Sequence, residues 1–143
     1  MRAPGDTQVL LVGAENAYLL GSVAEDVFDA AIRLDRLAAY VAEPGHLMAI
    51  AVTDGVVVGQ ARAVVHRNPD EADQLYIDNL GVAPERQRRG IATALVRLLL
   101  EEGRRRGCGG FWVATETDNA EANAFYRSLG LEGQRMVYFE GGL

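Results

Sequence analysis

The chain has 143 residues, about the length of one domain. It is acidic, with 14 basic against 20 acidic side chains and a net charge of -6, and every basic residue is arginine. The longest uninterrupted apolar run, Leu47–Val52, falls far short of the ~20 residues a membrane span needs, and the single cysteine, Cys108, excludes an internal disulfide framework or a cysteine-rich metal site. The stretch Met1–Asp6 lacks the apolar core of a signal peptide. Together these features fit a soluble cytoplasmic protein with no membrane partner. Half of the arginines fall between Arg86 and Arg106, which leaves the rest strongly acidic. A local basic patch argues against general nucleic-acid binding, which wants a broad positive face. It suits a local anionic ligand and a cationic second partner. Arg104 to Arg106 also read simply as a solvated, dipole-favoured helix end.

Gln8–Val12 reads as a first strand. Apolar residues at spacings of three and four predict helices over Ala14–Val27 and Asp29–Val41, closed by Pro44 and Gly45. Leu47–Thr53 and Val56–His66 flank Asp54-Gly55, a strong hairpin signal. After a polar loop, Gln74–Val82 is a strand. Its alternation sets Tyr76, Asp78, Leu80 and Val82 on one face, and Ile77, Asn79 and Gly81 on the other. Gly90–Arg106 is a long helix with Ile91, Leu95, Leu98 and Leu99 inward, ended by glycines. Phe111–Thr115 is a strand of bulky residues. Asp118–Leu129 is a helix in which Asp118 and Glu121 resemble a capping box. Leu131–Gln134 and Met136–Glu140 close the chain as strands. No linker or repeat interrupts this order, so residues 1–143 read as one mixed α/β domain of the α+β type.

The turn Glu85–Ala92 carries the clearest chemistry. The first amides of a helix lack internal partners, and the helix dipole adds positive potential there. Gly90 leaves the backbone open to a phosphate, Ala92 keeps the next turn small, and Arg86, Arg88 and Arg89 add charge. The pattern Q-x-x-G-x-A at Gln87, Gly90 and Ala92 therefore reads as a pyrophosphate cradle. It is neither the lysine-bearing phosphate loop nor the G-x-G-x-x-G fingerprint. An ordinary basic helix start is the alternative.

Downstream stands N-x-x-A-x-x-F-Y-x-x-x-G, from Asn119 to Gly130. The strand, the turn and this motif, in this order, resemble the GNAT superfamily of N-acetyltransferases over roughly Leu47–Glu140. That resemblance implies a mostly antiparallel, twisted mixed sheet with one splayed strand pair and helices on both faces. It implies acetyl-CoA as co-substrate, with Gln87, Arg88, Arg89, Gly90, Ile91, Ala92 and Thr93 around its pyrophosphate. Asp78–Val82 would splay from Phe111–Thr115 and receive the pantetheine arm along Leu80, Gly81 and Val82. Asn119 and Phe125 would lie beside that arm. Tyr126 matches the tyrosine that protonates the departing thiolate, a role a phenol of pKa near ~10 suits; packing beside Phe125 is its structural alternative.

Asp78, a short acid in an apolar strand, is the first candidate for the base that deprotonates the amine, and Glu116 the second. The nearest sub-resemblance is to aminoglycoside 3-N-acetyltransferases, carried by RRGIATALVRLLLEEG and by Tyr126–Gly130. This chain departs from that group at Asn79, where the group has aspartate. The acidic remainder of the chain favours a small polycationic amine, aminoglycoside or polyamine, as acceptor. A protein N-terminus or lysine is the alternative acceptor, and a non-catalytic acyl-CoA-binding module the alternative to an enzyme. Dimers are common in such families, so a homodimer is an open expectation. His46 and His66 lack metal spacing, Cys108 reads as a bland thiol, and Trp112 as core. Tyr18 and Phe28 suit either the core or an acceptor cleft.

Overall fold

The computed structural model describes residues 6–88 and 90–143. Five strands form one sheet in sequence order. β1 (Gln8–Leu11), β2 (His46–Thr53), β3 (Val56–His66) and β4 (Gln74–Val82) are antiparallel neighbours, and β5 (Gly110–Val113) joins β4 in parallel. The β2–β3 hairpin turns at Asp54 and Gly55, whose φ values of +50° and +77° are the left-handed pair that a tight hairpin needs and that Asp-Gly accepts.

The helix α2 (Ile91–Arg105) covers one face. Ile91, Leu95, Val96 and Leu99 are buried, so the three-and-four spacing of the sequence becomes a stripe on the sheet. Each such side chain contributes roughly 1.5–3 kcal/mol when removed from water. The helix sits close because the strand positions beneath it are small. Ala49, Ala61 and Ala63 are fully buried, and a Cβ on Gly59 would stand 3.2 Å from both Ile91 Cγ2 and Leu95 Cδ1. The other face carries a 3-10 turn (Ala17–Gly21), the segment after it, and α1 (Leu34–Ala42). Helices therefore lie on both faces, as expected.

Three expected elements differ. The helix over Ala14–Val27 does not form beyond the 3-10 turn. Asn16 shapes the entry, its Oδ1 accepting from Gly13 N at 2.7 Å and its Nδ2 donating to Leu11 O at 2.8 Å. From Ser22 the backbone runs extended and pairs with Val57, which donates to Ser22 O at 2.8 Å while Ala24 donates back at 2.9 Å. Pairing to a free stretch of β3 outweighs local helical spacing. The second helix shortens from Asp29–Val41 to Leu34–Ala42, behind a left-handed Asp26 at φ +61°. The closing strands, Leu131–Gln134 and Met136–Glu140, are absent: residues 131–143 hold no regular structure. Met136, Val137, Tyr138 and Phe139 stay exposed. Alternating apolar residues make a strand only where a neighbour completes the ladder.

The face assignment along β4 is also corrected. Arg62 lies opposite Asn79 while Ala63 lies opposite Ile77. Asp78 is thus one extra residue, a bulge, and alternation resets across it. Leu75 and Ile77 point toward α2 together with Leu80 and Val82, whose β3 partners Ala61 and Gly59 lie beneath that helix. Tyr76, Asn79 and Gly81 share the opposite face.

Candidate active site

β4 and β5 pair only from Gln74 with Gly110 to Ile77 with Val113. Past Ile77, β4 continues to Val82 while β5 stops. The edge of Asp78–Val82 on that side has no strand partner among the described residues, while its other edge stays bonded to β3 as far as Gly59. This is the splay implied by the resemblance. It leaves a short row of backbone groups open to an extended, amide-bearing chain.

The turn follows directly. Pro84–Arg86 makes a 3-10 turn, and Gln87 Nε2 donates to Val82 O at 3.1 Å, tying the turn to the strand end. Arg88 and Gly90 are left-handed, with φ +62° and +77°. Gly90 takes that shape without strain, and as the residue before α2 it has no side chain to cover the helix end. The first helical bond runs from Ala94 N to Gly90 O at 3.0 Å. The amides of Ile91, Ala92 and Thr93 precede it and have no helical acceptor. Open amides, the helix dipole and exposed Arg88 suit the diphosphate of CoA. Arg89 lies outside the described residues.

A second group follows β5. The Glu116 carbonyl accepts from Asn119 N at 3.1 Å and from Asn123 Nδ2 at 3.0 Å, while its carboxylate is exposed. Asn119, rather than the expected Asp118, caps α3 (Ala120–Ser128), its Oδ1 accepting from Ala122 N at 3.0 Å. The cap therefore moves one residue along and engages the oxygen of a residue expected at the pantetheine. Phe125 and Tyr126 meet edge to face at 5.2 Å. Burial pushes the Tyr126 phenol above its ordinary value, so it holds its proton at neutral pH. Among the described residues no hydrogen bond engages that hydroxyl or joins α3 to the open stretch of β4. The two groups are linked through the β4–β5 ladder.

Beneath the splay, on the face away from α2, the segment around Val27 packs directly on the sheet at Gln60 and Gly81. Buried Gln60 donates through Nε2 to Val27 O at 3.1 Å and to Asn79 Oδ1 at 2.6 Å. The Arg62 guanidinium stands 5.7 Å from the centre of the Phe28 ring. Tyr76 and Trp112 stack with centroids 3.9 Å apart and planes 12° from parallel. Trp112 is 44% exposed and is thus a surface residue on this face rather than core. Tyr18 is exposed, so it serves the core no better. Tyr40 donates to Leu47 O at 2.9 Å and stacks on His46. Its phenol is pushed well up, chiefly by burial and then by the Asp78 charge, with Arg62 opposing. Asp78 is exposed at the bulge and escapes the desolvation cost its apolar strand suggested. Sequence reasoning passed over Gln60 and Arg62. Their signal was the alternation of two polar side chains in Gly59-Gln60-Ala61-Arg62-Ala63, inside an otherwise apolar strand.

Residues 15–131 match the model of the Acetyltransferase (GNAT) family. The chain belongs to the GNAT family. Over 58 residues, 41% of this chain, it is 38% identical to the [Ribosomal protein bS18]-alanine N-acetyltransferase of Escherichia coli strain K12, spanning 39% of that protein. Over 101 residues it is 32% identical to N-acetyltransferase 8 of Homo sapiens, spanning 70% of this chain and 44% of that protein. The matches thus cover less than half the length of these relatives. Among solved structures, the aminoglycoside acetyltransferase HMB0005 from a soil metagenomic sample superposes with a TM-score of 0.82 at 25% identity, covering 97% of this chain and 99% of that one. AAC(6')-Iy, in complex with a bisubstrate analog, CoA-S-monomethyl-acetylneamine, superposes with a TM-score of 0.80 at 18% identity, covering 97% and 100%. These similarities support the superfamily named from the sequence but not its 3-N subdivision. No helix among the described residues is long and apolar enough to cross a membrane.

Proposed function

We propose that this GNAT enzyme acetylates a primary amine of a small acceptor held under the β4–β5 splay, by direct attack in a ternary complex. The observation that carries this reading is the splay itself. It joins an open backbone edge at Asp78–Val82 to an open helix start at Gly90–Thr93. Backbone groups of Leu80, Gly81 and Val82 hold the pantetheine amides, and a main-chain N–H here polarises the thioester carbonyl. Gln87 fixes the turn, and Arg88, Arg89 and the amides from Gly90 to Thr93 hold the pyrophosphate. Asn119 and Phe125 line the side of the arm nearest α3.

Asp78, or Glu116 through water, takes a proton from the ammonium. The freed nitrogen attacks the carbonyl carbon, the C–N bond forms and the C–S bond breaks. Tyr126 gives its proton to the departing sulfur and regains one from solvent. Supporting this last role, burial keeps the phenol protonated. The test is Tyr126→Phe: kcat is expected to fall about a hundredfold while acetyl-CoA affinity changes little. Full turnover by that variant removes tyrosine from the mechanism.

A polycationic acceptor is supported by the net charge of -6 and by the aminoglycoside acetyltransferases among the structural neighbours. A second reading, an acceptor bearing a free α-amine beside a carboxylate, is favoured by one specific observation: the sheet face away from α2 carries a cation, Arg62, beside Asn79.

A further inference from the structure

We propose that Arg62 is a specificity-determining residue that receives a carboxylate of the acceptor, so that the favoured substrates are amino acids or short peptides rather than polycations. The proposal rests on the acetyl-transfer reading and narrows its acceptor. Arg62 stands on β3 directly beside Asn79, the residue before Leu80 on the reacting strand. It lies on the face away from α2, beside the Phe28 ring. Its Nε is buried with no hydrogen-bond partner, and no carboxylate pairs with it among the described residues. A guanidinium keeps its charge at any working pH, and a charge drawn from water without a partner is costly. The Phe28 face at 5.7 Å offsets part of that cost and steers the planar group. Its outer nitrogens engage no protein acceptor among the described residues, and a guanidinium donor of this kind suits a carboxylate.

The signs of the neighbouring charges complete the case. Asp78 and Arg62 both act on the Tyr40 phenol, in opposite directions, yet they form no ion pair, and Asp78 stays exposed at the bulge. β3 and β4 thus offer one carboxylate for an ammonium and one guanidinium for an anion. A zwitterionic acceptor satisfies both. A polycation answers Asp78 but leaves Arg62 unpaired and beside a like charge. Further along the same face, an open pocket of about 530 Å³ lies between His46, His66, Arg67, Glu43 and Tyr76. It gives the body of such an acceptor room, with Arg67 and Glu43 among its lining residues.

The experiment measures CoA release from acetyl-CoA by the full chain. The acceptors are free amino acids, short peptides, the carboxamide of each, and polyamines. The carboxylate forms are expected to exceed their carboxamides about tenfold or more in kcat/KM, mainly through KM. Arg62→Met is expected to bring that ratio close to one, and Arg62→Lys to restore part of it. Thermal shift with acetyl-CoA reports whether each variant is folded, and the wild-type ratio needs no variant at all. Equal use of carboxylate and carboxamide by the wild type overturns the proposal. So does an equal loss on both in Arg62→Met, which marks a merely structural arginine, or release with polyamines alone. The amino-acid and peptide arms identify which source of carboxylate is used. Acetyl-CoA binding without CoA release for any amine overturns the acetyl-transfer reading itself, and this proposal with it.

Discussion

Gly81 is held without a side chain by the backbone opposite it. A Cβ there would lie 2.2 Å from the carbonyl oxygen of Val27, so the 22–28 segment rests directly on the stretch of β4 that β5 leaves unpaired. Gly81→Ala forces that segment outward. Overpacking of this kind costs roughly 1–3 kcal/mol, so the melting temperature is expected to fall. A variant that melts with the wild type contradicts the contact. Beside it, Gln60 fixes Val27 and Asn79 together. The asparagine that departs from the aspartate of the resembled group therefore has a structural use: its amide oxygen satisfies a buried amide donor. The Tyr126 hydroxyl has no such tie among the described residues.

At the scale of elements, α2 is anchored at both ends by different means. Its N-terminus is left open by Gly90. Its C-terminal turn is clamped by Glu102, which accepts from Arg105 Nε and Arg106 Nε, each at 2.9 Å, while Arg106 reaches across to the Pro44 carbonyl. The hydrogen bond from Arg105, with that from Arg106, holds the Glu102 carboxyl at about 2 against the opposing effect of burial. A folded value below the ordinary 4.5 means this clamp stabilises the fold fully above about pH 4.5. Its contribution is lost progressively as pH falls from there toward 2. Urea unfolding across that range is expected to show this loss in the wild type and a flatter profile in Glu102→Gln. Parallel profiles contradict it.

The elements also show what the sequence could convey. β2, β3, β4 and α2 were legible to within a residue, because Asp-Gly, Pro84 and the glycines after the helix encode their ends locally. The segment Ala14–Val27 was not. Its spacing is helical, but its backbone is claimed by Val57, a contact 33 residues or so away in sequence terms that no local pattern records. The bulge at Asp78 was hidden for a similar reason: a register shift is a property of two strands, and reading one strand alone inverted the face of Tyr76. The open start of α2 at Gly90 was readable because helix-end geometry is local. The grouping of Arg62 with Phe28, and of Tyr76 with Trp112, on separate elements was not.

For the whole molecule, charge is divided by task. An acidic chain of net charge -6 attracts amines at long range, while the turn before α2 concentrates arginine where a diphosphate is to bind. In the proposed reading the sheet separates the two substrates, with the nucleotide end of acetyl-CoA at the open start of α2 and the acceptor on the face that carries Arg62, Tyr76 and Trp112, and they meet where β4 and β5 part. The most direct test of that account is to supply acetyl-CoA with a panel of primary amines and to quantify free CoA and acetylated acceptor together. The account predicts that at least one amine yields the two products in equal amounts, at a rate far above hydrolysis in its absence. Saturable acetyl-CoA binding with no acetylated product from any amine would contradict it and leave a binding module in its place.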